Sequence, residues 1–595
     1  MTSDEGIAFV GRNIQEKAAL IWNVANSLYG AYKPHEYGLV ILPMVVIKRF
    51  HDCLLPTHQA VLDKYAEIKH LAVKDGFLRS ASGYQFYNTS PFTFDTLKAD
   101  PANIEDNFRA YIAGFSDNVQ DILGRMNFST QIERMVESKV LYQVVTDFCS
   151  DKADMSPDKI QAVDMGYIFE NLVQRFSESY DEEAGAHFTS RDIIYLMCDL
   201  LVANDRHAFM DSDGISKTVY DMAMGTSQML TCLEERLKQL DANADVTCFG
   251  QEFNAFTFGI AKADMLIRGG DPDNMQFGDT LNDDKFNGYQ FDYCISNPPF
   301  GIDWKREATA VEAEHKKGPS GRFGPGLPAK SDGQMLFMLN GIAKLKQGGR
   351  MSIIQNGSSL FTGDAEGGPS EIRRYLIESD WLDAIVQLPN DSFYNTGIAT
   401  YVWIITKGKP DDRVGKVQLI DASACYENRR KPIGNKRVDI TETARDLIVQ
   451  VYGDYRDGAF EAKTQDGKTI VCKSKVLDAV SFGYNQTTVE SPLLDEHGNK
   501  VIKNGKPVAD SQKRDTENVP LDEDIDAYFV REVLPYNPDA WIDRNKTKVG
   551  YEIPFTRTFY EYRQLEPADV IAKRIEEHER LLIEKLHALF GKDHE

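Results

Sequence analysis

Apolar positions change their rhythm along this chain, and the changes divide it. Up to about residue 160 they recur every third or fourth position, as in Ile14–Tyr29 and Gln131–Phe148, which predicts amphipathic helices in a helical domain, 1–160. Another amphipathic helix, Met165–Glu178, leads out of it. Short runs rich in β-branched and aromatic residues then take over: Thr218–Tyr220, Val246–Phe249, Met275–Phe277, Phe291–Ser296, Met351–Gln355, Ala384–Leu388 and Thr400–Thr406. Helical patterns such as Met229–Leu240 and Gly333–Leu345 separate most of them, and that alternation predicts βα units on a largely parallel sheet. The seven runs make a complete doubly wound, Rossmann-like α/β domain, 161–410. The segment 411–595 predicts one more strand, Val414–Ile420, and loop-like polar stretches such as Asp495–Asp515. It ends in a helix, Ala568–Phe590, with Ile571, Ile575, Leu582, Leu586 and Leu589 close to one face.

The fourth run delivers the tetrapeptide Asn297-Pro298-Pro299-Phe300 to the carboxyl edge of the sheet, where open α/β sheets bind ligands. An amino group conjugated with a ring is a poor nucleophile because its lone pair is delocalised. The side-chain oxygen of Asn297 and the backbone carbonyl of Pro298 can both accept from such an NH2 and draw the lone pair towards an incoming methyl. Pro298 and Pro299 fix φ at about −65° and hold the acceptors still. Phe300 can stack on a base flipped out of its helix. Methyl transfer to an amino group suits this turn, although Asn-Pro is also an ordinary turn initiator.

Other turns carry matching chemistry. His187-Phe188-Thr189-Ser190-Arg191 precedes a predicted helix, Asp192–Leu201. Thr189 or Ser190 reads as its N-cap, and the freed N–H groups also suit the carboxylate of an amino-acid-like cofactor. After the first strand comes Asp221-Met-Ala-Met-Gly225-Thr226-Ser227-Gln228, where Gly225 permits a tight turn towards a ligand. The three-glycine dinucleotide fingerprint is absent, which disfavours a nicotinamide cofactor. Glu252 follows the second strand, where a carboxylate suits ribose hydroxyls, and Asp279 follows the third, where it could accept from an adenine amino group. A solvated surface acid and a turn aspartate are the plain alternatives.

Composition modifies this picture. At 595 residues and 42% hydrophobic content, the chain is long enough for two or three domains. Its net charge of −24 opposes an unaided grip on DNA, because phosphate contacts from Lys and Arg dominate affinity. Either it binds no nucleic acid or a partner supplies positive surface. Eight scattered cysteines without a Cys-x-x-Cys pair read as buried thiols of a reducing cytosol, with no metal site. The start of the chain lacks an apolar signal core, and Leu39–Ile47, interrupted by Pro43, is too short to cross a bilayer. A soluble cytoplasmic protein, with no membrane partner, is expected.

Taken together these residues resemble the γ-type amino-methyltransferases of DNA, and most closely the modification subunit of type I restriction-modification systems. Nearly the whole chain is covered. The segment from Ala186 through His187, Phe188, Thr189, Ser190 and Arg191 resembles the family's (F/Y)-(F/Y)-T-P-R, near the methionine end of S-adenosylmethionine. Asp221 to Gln228 resembles its D-P-x-x-G-T-G-G loop, Glu252 the ribose acid, Asp279 the adenine contact and 297–300 the catalytic tetrapeptide. Lys344–Gly349, Ile385–Phe393 and 549–562 also look like this family. Ser190 departs from the usual proline, and Ser227 and Gln228 from the usual small pair, which removes conformational freedom where the backbone approaches the ligand.

The resemblance implies an S-adenosylmethionine-dependent N6-adenine methyltransferase acting on double-stranded DNA, without metal or covalent intermediate. The implied partners are a separate specificity subunit, a second copy of the chain and a restriction subunit. The terminal helix would dock on the specificity subunit. A Gly- and Pro-rich loop, His315–Lys330, concentrates Lys316, Lys317, Arg322 and Lys330 without an acid, and is expected to be mobile and to close over DNA phosphates. Asp466-Gly-Lys-Thr469 lacks the upstream glycine of a phosphate-binding loop, since Ala462 stands there, so no ATP-driven motor is expected. Cytosine N4 methylation, glutamine-amide methylation of a protein and a non-catalytic scaffold are the rival readings.

Overall fold

The Leu39–Ile47 run forms the heart of a helix, Gly38–Leu54, that is buried along nearly its whole length. Pro43 sits inside it, where its missing N–H removes one intrahelical hydrogen bond. Charged residues near its end are satisfied rather than solvated: Lys48 pairs with Asp52 at 2.5 Å, and Asp52 accepts from the Met155 amide at 2.8 Å. This computed structural model describes residues 23–160, 165, 166, 168, 169, 172, 189–205, 209, 214–394, 396–562 and 566–590.

Short helices complete the N-terminal region. The predicted segment Gln131–Phe148 is two of them, Phe128–Glu137 and Leu141–Asp147, broken where Lys139 takes a φ of 59°. Of Met165–Glu178, the described Met165, Gly166, Ile168, Phe169 and Leu172 are buried.

The central sheet contains β1 (Ser216–Asp221), β2 (Asp245–Glu252), β3 (Met275–Phe277), β4 (Phe291–Ser296), β5 (Leu345–Asn356), β6 (Leu382–Gln387) and β7 (Thr400–Thr406), one for each run read from the sequence. β8 (Lys416–Asp421), a β9–β10 hairpin (Glu427–Ile433, Lys436–Asp439), β11 (Gly458–Lys463) and β12 (Thr469–Asp478) follow. The sheet has ten strands in the order β11-β12-β8-β6-β7-β5-β4-β1-β2-β3, so it continues past residue 410. β1, β2, β3, β4 and β5 pair in parallel, β7 runs antiparallel between β5 and β6, and β8 is again parallel to β6. Asp466-Gly-Lys-Thr469 is the turn of the β11–β12 hairpin. Chain order reverses between β1 and β4, which makes the crevice at their carboxyl ends the topological switch point.

The helix Ala255–Ile267 joins the helical region to the sheet. Ile260, Ala263, Leu266 and Ile267 lie in the core of the N-terminal helices, while Phe258 and Ala261 lie in that of the sheet. Gly259 permits the approach, since a Cβ there would stand 2.8 Å from Cγ of Met126. Lys262 pairs with Asp121 at 3.1 Å, and the Arg125 guanidinium lies 4.3 Å from the Phe277 ring centre.

Beyond the main sheet, β13 (Gly483–Glu490) carries a small hairpin of β14 (Ile502–Lys503) and β15 (Lys506–Pro507) in the stretch expected as loop. β16 (Asp515–Pro520) and β17 (Trp541–Tyr551) flank β13 in an antiparallel sheet. Arg373 fastens that sheet by donating to the Tyr551 carbonyl at 2.6 Å. The unit from Pro554 onward contains the helix Ala568–Phe590, on which Ile575, Leu582 and Leu589 are 61%, 58% and 76% exposed. Among the described residues no helix is long and apolar enough to cross a membrane, and the eight cysteines are free thiols, all but Cys149 fully buried.

Candidate functional site

Asn297 follows β4 directly, one residue beyond Ser296, whose hydroxyl donates to the carboxylate of Asp221 at the end of β1, 2.7 Å away. The same oxygen accepts from the Ala223 amide at 3.0 Å. This contact fastens the turn after β4 to the loop after β1. Burial pushes the Asp221 carboxyl up to about 7, with the Ser296 hydroxyl and Ala223 amide pulling it back and the Glu252 charge adding to the rise. A carboxyl raised on folding contributes stability that is whole below about pH 4 and is lost as pH rises through 7. Asp221→Asn keeps an acceptor for Ser296 and removes that loss. Relative to the parent protein, the variant should gain about 2–3 kcal/mol between pH 5 and pH 8, read from urea unfolding at the two values.

The amide of Asn297 is oriented. Its Nδ2 donates to Thr189 Oγ1 at 2.8 Å, and its Oδ1 is buried with no partner among the described residues. Thr189 and Ser190 are themselves buried, 6% and 4% exposed, at the start of the helix Arg191–Val202. The Ser190 carbonyl accepts from the Ile193 and Ile194 amides, but neither residue caps that helix through its side chain. Thr189 therefore spends its hydroxyl on the turn 108 residues away rather than on its own helix. Arg191 is buried with its guanidinium 3.4 Å from the Tyr195 hydroxyl. Ala186, His187 and Phe188 lie outside the described residues. Pro298 is buried, Pro299 half-buried, and Phe300 half-buried against the core of the sheet.

The loop from Asp221 to Gln228 turns at Gly225, whose φ is 53° and whose amide donates to Glu252 Oε2 at 2.8 Å. Glu252 Oε1 accepts from Asn254 at 2.7 Å. Burial pushes the Glu252 carboxyl up, and these amides draw it down. Each oxygen keeps a further lone pair for a diol. Thr226 is half-buried, and Gln228 begins the helix Gln228–Leu240 with its Nε2 buried and unpartnered among the described residues. Ser227 takes a φ of 66°, the left-handed conformation a glycine adopts freely. Ser227→Gly should stabilise the protein by about 1 kcal/mol in urea unfolding.

Asp279 uses Oδ1 to accept from the Leu281 amide at 2.9 Å, so it is a turn residue in this state. Phe253, next to Glu252 and 68% exposed, is an aromatic face at the mouth of the loop that sequence reading passed over; its only signal was adjacency to the acid.

The basic loop differs from expectation. Arg322 is held by Glu314 and by Asp284 at 3.7 Å, and it donates to the Thr280 carbonyl at 2.7 Å and to Asn340 Oδ1 at 3.0 Å. Lys330 pairs with Glu312 at 2.7 Å. His315 bonds the Phe323 carbonyl, with Phe323 and Trp304 buried beneath. The loop is stitched to the fold, and Arg322 is a strut rather than a phosphate ligand; Lys316 and Lys317 are exposed. A cavity of about 510 Å³ opens at the opposite, amino-terminal end of β4, lined by Tyr289, Gln290, Lys344, Tyr375 and Lys407, away from the turn.

Residues 161–489 match the family described as N-6 DNA Methylase, and residues 17–148 match the HsdM N-terminal domain. The MjaIX methylase subunit of a type I restriction enzyme from Methanocaldococcus jannaschii is 22% identical over 464 residues, covering 75% of this chain and 78% of that one. The HindI methylase subunit from Haemophilus influenzae is 26% identical over 385 residues, covering 63% and 79%. The solved methyltransferase subunit of a type I restriction-modification system from Streptococcus thermophilus superimposes with a TM-score of 0.59 at 20% identity, covering 78% of this chain and 96% of that one, a likeness of fold.

Proposed function

This chain belongs to the N-6 DNA methylase family, and we propose that it methylates adenine N6 in double-stranded DNA as the modification subunit of a type I restriction-modification complex. The observation that carries the reading is the oriented amide of Asn297, with Nδ2 held by Thr189 and Oδ1 buried and unpartnered. A buried acceptor without a donor is costly unless a ligand supplies one. An exocyclic NH2 supplies two: one for Asn297 Oδ1, one for the Pro298 carbonyl. Both bonds strengthen as the nitrogen gives up its lone pair, so they favour the transition state over the ground state. Phe300 offers its free face to the flipped base. S-adenosylmethionine, when bound, supplies an electrophilic methyl on sulfonium sulfur. Glu252, Gly225, Gln228, Thr189 and Asp279 are the residues that would hold it, and the buried unpartnered Gln228 Nε2 and the backbone turn at Gly225 fit a ligand with carboxylate and ribose groups.

The helical region, the catalytic domain and the terminal helix would serve assembly, catalysis and docking respectively. The apolar stripe of Ala568–Phe590 suits the specificity subunit, with a second copy of this chain and a restriction subunit completing a cytoplasmic complex. Ser227 at a glycine conformation favours a second reading, a methyltransferase-like scaffold that no longer turns over. Mass spectrometry of host DNA decides. N6-methyladenine appearing when the chain is expressed with a cognate specificity subunit supports the proposal. N4-methylcytosine in its place overturns the adenine assignment, and no mark despite assembly on DNA leaves the scaffold.

A further inference from the structure

In a chain of net charge −24, the β9–β10 hairpin places five basic residues, Arg429, Arg430, Lys431, Lys436 and Arg437, against two acids, Glu427 and Asp439. Topology fixes where this charge stands. β8 runs parallel to β6, and through β7 both are parallel to β5 and β4, so the hairpin after β8 emerges at the edge that carries Asn297.

Its base is anchored there. Lys436 donates to Asp192 at 2.9 Å and to the Ser392 carbonyl at 3.1 Å, and the Ile440 amide donates to Asp192 at 2.9 Å. Asp192 is three residues, less than one helical turn, from Thr189, which holds Asn297. The Asn435 and Arg437 amides donate to the carbonyls of Tyr394 and Asp391 in the loop after β6, at 2.8 and 2.9 Å. Gly434, with a φ of 55°, permits this approach, since a Cβ would lie 2.5 Å from the Tyr394 oxygen. Arg429 is paired with Asp439, and Lys436 is buried. Arg430, Lys431 and Arg437 are exposed, and among the described residues none has an ion-pair partner.

We propose that this hairpin is the surface on which the DNA backbone rests beside the target base, with Arg430, Lys431 and Arg437 on phosphates. The inference depends on the methyltransferase reading, because a flipped nucleotide stays tethered to its own phosphates and draws the backbone across this edge. Each phosphate neutralised contributes about 0.9 to the slope of log affinity against log salt.

The test is fluorescence anisotropy of the full chain, assembled with its cognate specificity subunit, on a labelled DNA duplex over a salt series, beside S-adenosylmethionine binding by calorimetry as the measure of an intact fold. R430Q/K431Q/R437Q should lower the salt slope by about 2–3, and each single variant by about one, with cofactor affinity unchanged. A wild-type slope in the variants, or a larger loss in K316Q/K317Q, overturns the hairpin while leaving the enzyme intact if adenine is still methylated. Absence of both duplex binding and any methyl mark in the parent complex would instead bring down the function with it.

Discussion

Asn297→Ala should reduce kcat for adenine methylation by about 10²–10³-fold while leaving S-adenosylmethionine affinity within about twofold, by single-turnover kinetics and calorimetry. The deletion removes the acceptor that strengthens as the amino nitrogen becomes tetrahedral. Of the residues that would hold the cofactor, Asn297 bonds only Thr189, which its own burial at the start of the helix Arg191–Val202 keeps in place, and the Gly225–Glu252 contact is untouched. Thr189→Val tests the same bond from the other side. It keeps the shape and removes the oxygen that receives Nδ2, so the amide is free to rotate and present NH2 where an acceptor is needed. Thr189→Val should lower kcat by roughly tenfold, the cost of one neutral hydrogen bond, and Thr189→Ser should restore most of it. Equal activity of Thr189→Val and the parent would show that the orientation of the amide does not depend on this contact.

Glu252→Ala should weaken S-adenosylmethionine binding by about 10–100-fold, the worth of charge-assisted hydrogen bonds. Part of that loss comes before any ligand arrives. Glu252 now holds the Gly225 and Asn254 amides, so its removal releases the loop after β1 as well as the acceptor for a diol. Glu252→Gln keeps one acceptor oxygen and should fall between the two. Calorimetric affinity unchanged in Glu252→Ala would place the ribose elsewhere.

How much of this was legible in the sequence depended on the range of the interaction. The strands β1 to β7 and the turn 297–300 declare themselves within a few residues, through apolar runs and the stiffness of Pro298 and Pro299. The bond from Asn297 to Thr189 does not, because a threonine before a helix looks the same whether its hydroxyl caps that helix or reaches a distant turn. β11 and β12 were hidden because their outward positions are polar, as in Gly458–Lys463, and only pairing, of β12 to β8 and of β11 to β12, makes them strands. Arg322 misled because a charge in sequence carries no sign of its partner, and Glu314 lies just before the acid-free stretch. The cations of 427–439 were equally visible, but their significance waited on β8 joining the sheet.

The helix Ala255–Ile267 has a mechanical consequence. One face belongs to the N-terminal helices and the other to the sheet, and packed interiors transmit displacement instead of absorbing it. A partner that pulls on the N-terminal helices therefore has no slack to take up before the load reaches β2, β3 and Glu252. The region would work as a lever arm whose fulcrum is β2, the strand that carries Glu252. Under the proposed function, tension from assembly on a duplex would be felt at Glu252 in the same stroke, as a change in how firmly the methyl donor is gripped.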